Sequence, residues 1–275
     1  MNMDVVPIGV LFVATIALVI LVFEVGCRLG AASRRRSENE KESPVAAIAG
    51  SLLALAAFML AFAFGIVTDR YDARKALVIE EANAIGTAYL RSDFMPEPDR
   101  GKTANLLRDY VDSRLAVARS KDLGEVSKYL AEANVIQREL WGMAVVNARK
   151  DMNSDVAALY IDALNAVFNI HATRVAVAVQ SRIPAGIWFV LYILVILGTV
   201  GVGYQTAIAG SVRSRSTPLL AISFSLVIAL IASLDRPQSG FIKVSQQPLA
   251  DLRASMVENG ADGDEKTSVR DPDRL

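Results

Sequence analysis

Four stretches of this chain, residues 5–23, 44–68, 183–212 and 216–234, contain no charged side chain. At about 1.5 Å rise per helical residue, roughly 20 apolar residues cross a hydrocarbon core about 30 Å thick. Each run is therefore long enough to span a bilayer, and a chain with four of them is constrained to lodge most of its apolar surface in lipid. The 53% apolar content fits this, since soluble domains usually hold about 45–50%.

The first run lacks the basic start of a secretory leader, because Met1-Asn2-Met3-Asp4 carries only the terminal amine, so it reads as a permanent span. One cysteine, Cys27, excludes an intrachain disulfide framework, and one histidine, His171, excludes a His-based metal cluster. Basic and acidic residues balance at 29 each, which argues against a nucleic-acid surface. Patterns for nucleotide, zinc or nucleophilic-serine chemistry are absent, so no enzyme, cofactor or metal is expected.

Residues 68–182 are too many for a connector and lack strand alternation, so they read as helices. The second span is expected to continue to Phe94, where Met95-Pro96-Glu97-Pro98-Asp99 stops it. Further helices are expected from about Arg100 to Lys121 (Leu107, Tyr110, Val111 and Leu115 at helical spacing) and from about Leu123 to Lys150, which includes Trp141. A last one follows an N-cap at Asn153 or Ser154 and carries Val156, Tyr160, Ala163, Val167 and Ile170 as a seam. Spans 2 and 3 are both expected to run on into this bundle, with Pro184 in the first turn of span 3. The expected fold is all-α: a polytopic membrane protein with four transmembrane helices and a helical bundle inserted between spans 2 and 3. Its parts are residues 1–67, 68–182, 183–234, and a C-terminal segment 235–275 whose acidic, glycine-containing end from Glu258 is expected to be disordered.

Short-loop Lys and Arg are retained on the cytoplasmic side of a plasma or inner membrane. Arg28, Arg34, Arg35, Arg36 and Lys41 follow span 1, and Arg213 and Arg215 separate spans 3 and 4, seven basic positions on one face. The other face offers Arg236, Lys243 and Arg253. Charge thus places both termini and the bundle outside.

Span 2 carries Ala47, Gly50, Ala54, Ala57 and Ala61 as a smooth stripe that admits a closely packed helix. Phe58 and Phe62 stand beside it, one turn apart, with Gly65 and Asp69 on the same line. Packing explains these rings, and so does a hydrophobic constriction that gates a pore by dewetting. No ionisable side chain lies inside any span, which weighs against a pump or coupled carrier. Just beyond span 2, Asp69-Arg70-Tyr71-Asp72-Ala73-Arg74-Lys75 could gather anions at a pore mouth through Arg70 and Arg74, or pair its charges along the helix. His171 reads as a packed or surface histidine.

Span 4 stops on Asp235-Arg236-Pro237, where Arg236 suits the helix C-terminus and Pro237 forbids continuation; Gly240 permits a turn and Pro248 opens a further helix. The whole phrase Leu-Asp-Arg-Pro-Gln-Ser-Gly-Phe-Ile-Lys-Val-Ser-Gln-Gln-Pro-Leu, residues 234–249, closely resembles the C-terminal signature of bestrophin-like membrane proteins, with Asp235, Arg236, Pro237 and Gly240 as its marks. Residues 69–75 and Ile183-Pro184 are similar to segments of bestrophins proper. That resemblance implies a pentameric chloride-type channel whose second helix lines the pore with an apolar neck. Phe58, Phe62 and Gly65 become pore or gate candidates, and small anions, the lipid bilayer and further copies of the chain become the partners. It also implies a bundle in the cytosol, opposite to the charge count. No acidic run follows span 4, so calcium gating is not implied. The competing expectation is a non-conducting receptor or scaffold that uses residues 68–182 as a sensory bundle.

Overall fold

In the computed structural model, which describes residues 6–36, 42–120, 122–180, 182–210, 217–236 and 240–268 (side chains of 42, 43, 123, 179, 180 and 259–268 excepted), eight α-helices and no strand are present among the described residues. They are α1 (Ile8–Arg36), α2 (Glu42–Arg91), α3 (Asp99–Arg119), α4 (Leu123–Ala148), α5 (Asp155–Gln180), α6 (Ala185–Ile208), α7 (Thr217–Asp235) and α8 (Gln247–Ser268). Lys41, Arg213, Arg215 and Pro237 of the sequence analysis lie outside the described residues. The chain divides into two compact units, Met1–Tyr71 with Ser181–Lys243, and Asp72–Gln180 with Val244–Leu275. The 50-residue helix α2 contributes to both.

The first unit holds the four helices long and apolar enough to cross a membrane: α1, the first part of α2, α6 and α7. Its core gathers Leu11, Val19, Leu60, Val67, Trp188, Leu191, Val195, Ile228 and Ile231. Lipid gives no hydrophobic drive for one such helix to join another, so close backbone approach and interhelical hydrogen bonds must hold them. Both are found between α1 and α6. A Cβ on Gly26 would stand 2.3 Å from the Val200 carbonyl oxygen, and one on Gly203 2.3 Å from that of Phe23. Four residues on, Gly30 meets Tyr204 and Ala207, so contact advances in the same direction along both chains and the helices run parallel. Near the start of α1 the Thr15 and Tyr192 hydroxyls stand 3.0 Å apart.

The second unit packs α3, α4, α5 and α8 with the later part of α2 around Val78, Ile85, Leu107, Tyr110, Val111, Leu140, Tyr160, Leu164, Val167, Leu249 and Met256. Ser154 is the N-cap of α5, its hydroxyl accepting from the Ala157 N–H at 3.2 Å. The α5 seam is centred on Tyr160, Ala163, Leu164 and Val167, while Val156 at its start is exposed. Trp141 meets the Phe168 ring edge-on at 6.3 Å.

Two expectations change. Span 3 does not run on from the bundle: α5 ends at Gln180 and α6 starts at Ala185, with Pro184 as its N-cap rather than in its first turn. Proline lacks an N–H and biases the residue before it away from helix, so a break is the local minimum. The C-terminal segment is helical as far as Ser268, well past Glu258. Leu249 and Met256, two turns apart, are fully buried in the second unit and hold the first part of α8 there.

Candidate functional site

Helix α2 has two stripes of small residues in its membrane-spanning part, and packing selects between them. Ala49, Ala56, Leu60, Ala63 and Val67 are buried. The α6 glycines set this choice, since a Cβ on Gly201 would lie 3.1 Å from the Ala49 Cβ and one on Gly198 2.9 Å from Leu53 Cδ2. The stripe Ala47, Gly50, Ala54, Ala57 and Ala61, expected to receive a neighbouring helix, is exposed instead. Phe58 and Phe62 project from the same side, 67% and 58% exposed, and nothing lies within 4 Å of a Cβ placed on Gly50 or Gly65. The chain thus presents a charge-free face of small residues interrupted by two aromatic rings.

The signature residues form a second constellation. Asp235, the last residue of α7, is buried, and its Oδ1 accepts the Ile183 N–H at 2.9 Å. Arg70 Nη1 lies 3.6 Å from the same oxygen, and Arg182 donates to the Asp235 carbonyl at 2.6 Å. One carboxylate therefore fastens the end of α7 to the entry of α6 and to α2. Arg236, 3% exposed, donates to the Val6 carbonyl and so holds the start of α1.

Gly240 follows because only a residue without Cβ fits: a Cβ there would stand 2.1 Å from the Ser233 carbonyl oxygen and 2.7 Å from that of Arg236. Its N–H closes the turn onto the Arg236 carbonyl at 3.2 Å. The Ser233 hydroxyl then accepts the Phe241 and Ile242 N–H groups at 2.8 and 3.2 Å. The structure thus brings Arg70 together with Asp235 and leaves Phe58, Phe62 and Gly65 as a separate face. Arg74 is buried in the second unit.

One network of the second unit escaped the sequence reading. Glu81 is fully buried on the line of Val78, Ala82 and Ile85; Arg114 Nε donates to its Oε1 at 2.8 Å, and Arg174 Nη1 donates to its Oε2. Burial lowers the affinity of both guanidiniums for their protons, that of Arg174 to about 10. Beside them Gln137 Nε2 donates to the Tyr110 hydroxyl at 3.1 Å, which directs the phenol proton toward His171 Nδ1 at 3.0 Å. Burial, then the Arg114 charge, pulls the His171 pKa down to about 4, and burial raises that of Tyr110. The legible signal was a glutamate standing in an otherwise apolar heptad line. The His171 expectation resolves to a packed, hydrogen-bonded histidine.

Among the described residues no group of His, Cys, Asp and Glu is arranged to hold a metal ion. The fold and these two constellations define a multi-pass helical membrane protein with a charge-free face of small residues and two exposed rings on α2 and a tightly tied signature turn. Residues 13–249 match the Bestrophin-like domain family, and the chain belongs to that family. Solved structures of bacterial bestrophin homologue variants from Klebsiella pneumoniae share the fold. One is 13% identical, covers 90% of this chain and 97% of its own, and has a TM-score of 0.59. Another is 14% identical, covers 91% and 98%, and has a TM-score of 0.60. A structure described as a membrane protein variant is 12% identical over 90% and 96%, with a TM-score of 0.61. No curated protein matches the chain in sequence.

Proposed function

We propose that the chain assembles into a homo-oligomer, a pentamer on the bestrophin pattern, that passes small anions passively through a pore lined by α2. Phe58 and Phe62 form its apolar neck, and Gly65 lets the pore widen on the side toward Arg70 and Arg74. The observation that carries this reading is the α2 face itself. Its opposite side is packed against the helices of the first unit, while the small residues and both rings are left exposed in a span without a single charge. A face meant only for lipid gains nothing from glycine and alanine, whereas close subunit packing around an axis does. Family membership and fold support the same reading.

Rings repeated around an axis make a constriction that sheds water, so shrinking them lowers the dewetting barrier. Both rings stand outside the cores of the chain, so their truncation leaves no cavity of the kind that costs about 3–5 kcal/mol per buried aromatic. Phe58→Ala combined with Phe62→Ala is expected to raise anion flux in proteoliposomes well above wild type without changing oligomer size. Stable, correctly assembled wild type and double variant that both carry no current under any anion gradient would move the protein to the receptor or scaffold class.

A further inference from the structure

The parallel run of α1 and α6 brings their C-terminal ends to one membrane surface. Between them lies a recess of about 300 Å³ lined by Glu24, Arg28, Arg34, Thr206 and Gly210 among others. Arg34 reaches across it: its Nη1 lies 2.6 Å from where a Cβ on Gly210 would stand. That reach is open because Gly210, at φ +66°, ends α6 without a side chain. Arg28 pairs with Glu24 at 3.1 Å yet keeps 79% of its side chain exposed. The ionic side chains of the recess sum to one positive charge, two guanidiniums against one carboxylate, and Arg35 and Arg36 follow at the helix end.

Thr206 also lines a second cleft of about 630 Å³. Its walls are largely apolar, with Phe23, Leu53, Val202, Leu219 and Leu220 from α1, α2, α6 and α7. A basic, interface-level recess thus shares a wall residue with a hydrocarbon-sized cleft, each within the range of small-molecule sites. Guanidiniums take phosphate oxygens in a bidentate fork, and basic pockets between membrane helices hold lipid headgroups. We propose that this pair of clefts binds one anionic phospholipid, its phosphate on Arg28 and Arg34 and an acyl chain along Leu53, Val202 and Leu220.

The full chain, purified and delipidated in detergent, is titrated with dioleoylphosphatidylglycerol, dioleoylphosphatidylcholine or inorganic phosphate and followed by native mass spectrometry and thermal unfolding. The glycerol lipid is expected to bind on the order of ten-fold more tightly than the choline lipid and to raise the melting point by about 2–4 °C, with phosphate inert. Arg28→Gln with Arg34→Gln removes that preference, whereas Arg35→Gln with Arg36→Gln, which deletes equal charge outside the recess, keeps it. Leu220→Trp, with every charge in place, weakens binding by filling the apolar cleft; it decides the matter if the recess variant does not fold. Equal binding of both lipids, an equal shift from phosphate, equal loss in the two arginine pairs, or undiminished binding by Leu220→Trp would each overturn the proposal.

Discussion

Replacing Asp235 separates its hydrogen bond from its charge. In Asp235→Ala the buried Ile183 N–H, now donating at 2.9 Å, loses its acceptor. An orphaned buried donor costs about 1–3 kcal/mol. The Arg70 pair adds less, about 0–1 kcal/mol, because at 3.6 Å and with 28% of the arginine side chain exposed, water can replace the carboxylate. The sum is about 1–4 kcal/mol, which at about 2–4 °C per kcal/mol for chains of this order lowers the melting point by about 2–16 °C. Asp235→Asn keeps an oxygen for the Ile183 N–H and loses only charge, so it should fall by no more than about 2–4 °C. Thermal unfolding of the detergent-extracted protein by tryptophan fluorescence, with gel filtration before heating, measures both. An alanine variant that melts within about 1 °C of wild type, or an asparagine variant as damaged as the alanine one, would show that the signature is a helix stop and not a tie.

Three further outcomes are expected. Glu81→Gln leaves the buried Arg114 and the part-buried Arg174 guanidiniums facing a neutral amide and should cost about 3–5 kcal/mol of stability, read as an earlier chemical-denaturation midpoint; a midpoint like wild type refutes the ion-pair account. His171 carries a folded pKa of about 4 against an ordinary 6.5, so between these values the unfolded chain binds the extra proton. Stability should therefore fall as pH drops from about 6.5 to 4, by at most about 3 kcal/mol, and His171→Gln should flatten that slope; an unchanged slope counts against a neutral buried ring. On the charge argument, a cysteine at Ser37 in a Cys27→Ser background resists impermeant thiol reagents in intact cells, and ready labelling there places the bundle in the cytosol instead.

The sequence alone determined the number and placement of the spans, the helical nature of residues 68–182 and the family. These rest on local quantities: charge-free length, helical periodicity, proline positions and one contiguous signature phrase. Four runs without charge leave a chain few alternatives, because any unpaired backbone in hydrocarbon costs several kcal/mol. The stop at Pro96 and the cap at Ser154 were legible for the same reason, since the energies that set them lie within a few residues.

Only the tertiary structure decided which stripe of α2 is buried. Ala47, Gly50 and Ala54 are as smooth as Ala49 and Ala56, and helical period is blind to where a partner stands; Gly198 and Gly201 of α6 made the choice, nearly 150 residues away in sequence. Gly26 and Gly30, spaced for close helix approach, carried a readable sign of the α1–α6 contact, but not of its partner. The meaning of Asp235 was likewise hidden, because its burial follows from the Ile183 N–H and Arg70 arriving from other helices. The pairing of Glu81 was hidden too, because Arg114 and Arg174 reach it from other helices. Short-range preferences are written into each segment, whereas the pairing of faces and the satisfaction of buried charges are free energies shared between segments, and they take their values only when the chain has brought both partners together.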